Sequence, residues 1–156
     1  MSAPRILRRI SIVLGIALVC VAGCDRGFRD YESASNELES LIDDALAAGF
    51  AGRELPPKQP ITQEPCLDEL GFVDETVQPS YRYRFPLEML GEDPDRLVYE
   101  VEKLWRSRGY KVIPSDDPGI IKRFATGNNF NLQVFVNHGT GMALVSGNGP
   151  CVDPPS

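Results

Sequence analysis

The chain has 156 residues, 16 Lys and Arg against 22 Asp and Glu, a net charge of −6, and 42% hydrophobic residues. That length suits one domain with a leader or tether. The acid excess excludes the basic footprint that phosphate-backbone binding needs, so no nucleic-acid partner is expected.

At the N-terminus, Arg5, Arg8 and Arg9 precede an apolar run from Ile10 to Ala22. The run is shorter than the roughly 20 residues that cross a bilayer, and it has the layout of a signal peptide. The run closes on Val21-Ala22-Gly23-Cys24, which resembles a bacterial lipobox. The resemblance implies cleavage before Cys24 and lipidation of its thiol. Cys20 is a poorer acceptor, because Val19 stands where a small residue is expected. Arg8-Arg9 is not read as a twin-arginine signal, since Ser11 takes the place of a hydrophobic residue. The expected location is the extracytoplasmic face of the cell membrane, held by acyl chains that suffice for stable anchoring. Loss of residues 1–23 removes three arginines and no acid, leaving 13 − 22 = −9.

Residues 24–65 are expected to form an acidic tether. Within it, Ala34, Leu38, Leu41, Ile42, Ala45 and Leu46 recur at helical spacing and predict a helix over 31–48, stopped by Gly49. Sequence alone leaves open whether this helix packs on the domain or stands as a stalk. Pro56, Pro57, Pro60 and Pro65 then mark residues 51–65 as an extended linker.

Residues 66–151 are expected to form the folded unit, with 152–156 as a tail. Cys66 and Cys151 are the two thiols left in an exported chain, so they are expected to form one disulfide. Tyr81, Tyr83 and Phe85 alternate with Arg82 and Arg84, as in a half-buried strand that ends at Pro86. Leu97, Val98, Val101, Leu104 and Trp105 make one face of a helix over 94–108, with Asp93 as N-cap and Pro94 at its first position. Glu102 and Arg106 stand in the favourable order for an ion pair, and Trp105 is expected in the core. Four short strands follow: Tyr110–Pro114, Ile120–Thr126, Asn131–Asn137 and Met142–Ser146. They are separated by Asp116-Asp117-Pro118-Gly119, Gly127-Asn128-Asn129 and His138-Gly139-Thr140-Gly141. The fold class is α+β, an antiparallel meander covered on one face by the helix over 94–108.

No catalytic, metal-ligating or cofactor-binding residue emerges from the spacings, and no cofactor is expected. His138 is predicted to face solvent in a turn, with no partner at a telling spacing. Asp116-Asp117 reads as a plain turn, since a calcium loop needs more oxygen ligands at set intervals. Beyond the lipobox, Cys24, Pro65-Cys66, Leu104-Trp105, Gly109 and Pro150-Cys151 together resemble small uncharacterised lipoproteins of actinobacteria. That resemblance implies no activity. The expected function is a noncatalytic envelope lipoprotein that binds a protein, glycan or small ligand. The alternatives are an envelope hydrolase with a polar cleft around His138 or Asp116, and an inhibitor or immunity-type lipoprotein.

Overall fold

The structure, a computed structural model, describes residues 30–50, 52–55 and 57–155. The predicted signal peptide and Cys24 lie outside the described residues. The first helix, α1, runs from Tyr31 to Phe50. Asp30 begins it, its carboxylate accepting from the Ser33 N–H at 2.7 Å. This cap satisfies a donor that has no partner within the helix, and the Ser33 N–H holds the Asp30 carboxyl below its usual pKa. The predicted stripe from Ala34 to Leu46 is buried throughout. Helix α1 therefore packs on the domain.

Gly49 does not stop α1, which continues to Phe50. A Cβ at Gly49 would lie 2.1 Å from Leu97 Cδ1. This glycine marks the close approach of two helices, and sequence reading mistook that role for a terminator. The chain then turns back along α1, where the Lys58 ammonium meets Asp43 at 2.6 Å and Glu39 at 3.1 Å.

Strands β1 (Thr62–Leu67) and β2 (Val73–Pro86) form a long hairpin. A short 3-10 turn at Leu87–Leu90 leads to helix α2, Arg96–Ser107. Strands β3 (Lys111–Pro114), β4 (Ile120–Gly127), β5 (Phe130–Asn137) and β6 (Met142–Asn148) follow. All six strands join one antiparallel sheet in the order β1-β2-β6-β5-β4-β3. The meander is thus β3 to β6. The connection from β2 through α2 crosses to the far edge, and β2 closes against β6.

Several boundaries differ from the sequence reading, three of them for a structural reason. Thr62 to Pro65 belong to β1, so the linker ends earlier than predicted. Proline survives there because β1 is an edge strand, with a register shift between Pro65 and Leu67. Strand β2 begins eight residues before Tyr81, through a stretch whose exposure does not alternate. Helix α2 starts at Arg96, and no side-chain cap bond is present. Pro94 and Asp95 instead form a tighter opening turn, with the Leu97 N–H on Pro94 O at 3.2 Å and the Val98 N–H on Asp95 O at 3.0 Å. Between β4 and β5, Asn128 and Asn129 both take positive φ, as a two-residue hairpin turn of type I′ requires.

Both helices lie on the same face of the sheet. Helix α1 packs on β2 and β6, while α2 packs on β3, β4 and β5. Trp105 is completely buried and shares the core with Phe50, Phe85, Phe130, Leu97 and Val101. Phe50 and Phe85 stack at a tilt with centroids 5.2 Å apart. Cys66 and Cys151 are joined, Cα to Cα 6.1 Å, across a sequence separation of 85.

Candidate functional site

Among the described residues, no helix lies over the opposite face of the sheet. Period-two alternation assigns it residue by residue. On β5, Phe130, Leu132, Val134 and Val136 are buried under the helices, so Asn131, Gln133, Phe135 and Asn137 point to the open side. The ladders then set rows across this face. One row runs Arg84, Leu144, Phe135, Lys122, and the next runs Arg82, Ser146, Gln133, Phe124, Ile113. Lys111, opposite Thr126, stands beyond them on β3.

The charge of this face is one-sided. Strands β3 to β6, and β2 from Ser80 to Pro86, contain no Asp or Glu. Yet Arg82, Arg84, Lys111 and Lys122 project from it, in a chain whose net charge is −6. The Glu64 carboxylate on β1 comes within 4.0 Å of Arg82, in an exposed pair of little strength. Arg84 and Lys111 make no ion pair among the described residues. The Lys122 ammonium lies 5.4 Å from the Phe124 ring centroid. A shallow depression of about 290 Å³ lies along β2, β6 and β5, with Arg82 and Arg84 on one side and Gln133 and Phe135 on the other. Ser146 and Asn148 add a hydroxyl and an amide. Chemically this is a row of charged and neutral hydrogen-bond donors beside an aromatic ring.

The predicted candidates distribute differently. His138 stands in the β5–β6 turn and is part exposed, as expected there. It does have a partner, however: Nε2 lies 2.6 Å from Asp95 Oδ1, 43 residues away. Among the described residues no hydroxyl or thiol is bonded to His138, and no group of three or more His, Cys, Asp or Glu could hold a metal. Asp116 is not a bare turn residue. Its carboxylate accepts from Arg123 Nη1 at 2.5 Å and from the Lys122 N–H at 3.2 Å, which holds its pKa below the usual range.

Arg123 is the residue that sequence reasoning passed over. It sits on β4 facing the helices, and its side chain is only 7% exposed. Its guanidinium donates to Glu102 on α2 and to Asp116. Arg106 completes the chain, its Nε 2.8 Å from Glu102 Oε1. Burial opposes the charged form of Glu102, but hydrogen bonds from Arg123 and Arg106 outweigh it and lower its pKa. These charges join α2 to the sheet and are consumed by that role.

No protein-family model matches the chain, and no curated protein matches it at a significant level. Among solved structures, the chain is similar to the "putative lipoprotein LppA from Mycobacterium tuberculosis". Identity is 12%, over 79% of this chain and 78% of that one, with a TM-score of 0.41.

Proposed function

We propose that this chain is an envelope lipoprotein, anchored through Cys24 at the outer face of the cell membrane, that binds an acidic glycan of the envelope without catalysis. The observation that carries the binding reading is the open sheet face: four cations, no carboxylate on its central strands, and amides beside an aromatic ring. Guanidinium groups recognise carboxylates with strong, directed hydrogen bonds. Gln133, Asn131 and Asn148 supply the neutral donors and acceptors that sugar hydroxyls need. The Phe135 ring offers an apolar surface to a sugar face. The depression, at about 290 Å³, is slightly smaller than most small-molecule sites, and its open form suits a segment of a longer polymer. The apolar run before Cys24 and the short reach from Cys24 to α1 support the anchor.

Isothermal titration with a hexuronate oligosaccharide tests the binding reading. The wild-type chain should bind it in a salt-sensitive way. Arg82→Gln with Arg84→Gln should weaken binding about 10- to 100-fold, as expected for losing charged hydrogen bonds. Unchanged affinity in that variant, or equal affinity for a neutral oligosaccharide of the same length, would contradict it. Intact mass of the membrane form tests the anchor, which requires an acylated Cys24 at the mature N-terminus.

A further inference from the structure

The four most exposed large apolar side chains among the described residues, Leu67, Leu70, Phe72 and Val73, are 63–81% accessible and belong to a single hairpin tip. This tip is built, not loose. Asp68 Oδ1 accepts from the N–H groups of Leu70 and Phe72, both at 2.9 Å. The Asp68 N–H donates to Phe72 O at 2.8 Å, and Gly71 takes a positive φ of 85° that closes the turn. Directly below, Cys66 is bonded to Cys151, and Val77 exchanges hydrogen bonds of 2.9 and 2.8 Å with Val152. The fold therefore spends a disulfide and a bridge on holding four apolar side chains out in solvent.

The place of the tip in the molecule suggests why. Asp153, Pro154 and Pro155, which follow that bridge, line one depression with Asp30, Tyr31 and Glu32. The tip thus projects from the end of the domain at which α1 begins. Cys24 precedes Asp30 by six residues, which span about 20 Å at full extension. From Val77 the strand carries the tip about 13 Å further out. A lipidated Cys24 and the hairpin tip can therefore reach the same surface.

We propose that the β1–β2 tip is a second membrane contact, seating Leu70 and Phe72 in the lipid–water interface beside the acylated Cys24 and so fixing how the domain stands on the bilayer. The inference rests on the anchor reading of Cys24. Asp68, Glu69, Asp74 and Glu75 flank the tip, and no Lys or Arg occurs between Lys58 and Arg82. An anionic leaflet repels such a tip, so the surface it fits is zwitterionic lipid. A contact this small would not hold a free protein on a membrane. The acyl anchor supplies the local concentration that makes it sufficient.

The test uses the full chain, purified from membranes and reconstituted in phosphatidylcholine vesicles, carrying Phe72→Trp. The single native tryptophan, Trp105, is completely buried and serves as the unquenched reference. Dibrominated phosphatidylcholine should quench the emission of the introduced indole at least twofold. The quenching should weaken when a third of the lipid is phosphatidylglycerol. Intact mass of the same sample reports acylation. An acylated chain without quenching overturns the membrane contact. So does an unquenched tip that instead drives a concentration-dependent dimer in sedimentation, which would assign the surface to a second copy. An unacylated chain sinks the anchor reading and the tip's role with it.

Discussion

Glu102 on α2 and Arg123 on β4, 21 residues apart in sequence, meet across the helix–sheet interface, with Arg106 and Asp116 at either end. Because Arg123 is buried, its charge must be compensated, and removing a partner costs more than an exposed pair would. Glu102→Gln should lower stability by about 2 kcal/mol at pH 7. The folded-state pKa of Glu102 lies below its ordinary value of 4.5. Its contribution is therefore fully present above pH 4.5 and is lost as pH falls through the folded value. Urea unfolding at pH 7 and at pH 3 checks this, since the gap between wild type and Glu102→Gln should narrow at pH 3.

Trp105 is the largest fully buried side chain among the described residues. Trp105→Ala should cost about 3–5 kcal/mol, a large share of a small domain's stability. Among the described residues the buried indole N–H has no hydrogen-bond partner, so shape and apolar contact are what hold the tryptophan there. Trp105→Phe should therefore cost clearly less than Trp105→Ala. Thermal and urea unfolding of both variants would show the order.

Gly49 and Leu97 set how closely the two helices approach. Gly49→Ala gains about 1 kcal/mol of helix propensity, but its Cβ would overlap Leu97 Cδ1 at 2.1 Å. Overpacking of about 1–3 kcal/mol should outweigh that gain. Leu97→Ala frees the space at its own cost of about 2–5 kcal/mol. The double variant should be less destabilised than the two singles summed, and a double-mutant cycle measures the coupling.

Removing the Cys66–Cys151 bridge with Cys66→Ala and Cys151→Ala should cost about 2–5 kcal/mol. The loop it closes is long, and it clamps the edge strand β1 to the segment after β6. Hydrogen exchange should show β1 losing protection before β5 does, because β5 is central and β1 lies at the sheet edge.

Periodicity made the helix faces and the last four strands legible. Of the predicted face of α2, Leu97, Val98, Val101 and Trp105 proved buried, while Leu104 is only partly buried. Tyr81, Tyr83 and Phe85 alternate with arginines, and they too face inward. Strand β1 was illegible because Pro65 reads as a linker residue unless the strand is known to be an edge. The start of β2 was illegible because its exposure does not alternate. The pairs His138–Asp95 and Arg123–Glu102 were hidden for another reason. Their partners are brought together by the crossover through α2, and local spacing carries no record of it. The open sheet face was half visible. Arg82 and Arg84 were expected to point outward, but their neighbours Gln133, Phe135 and Ser146 are joined to them only by strand order.

The central claim is that the helix-free face of the sheet binds an acidic ligand. Amide chemical-shift mapping during titration with a hexuronate oligosaccharide tests it most directly. The account predicts saturable shifts concentrated on β2 from Ser80 to Pro86, on β5 and on β6, all suppressed by Arg82→Gln with Arg84→Gln. Shifts centred instead on His138 and Asp95, or no saturable shifts at all, would contradict it.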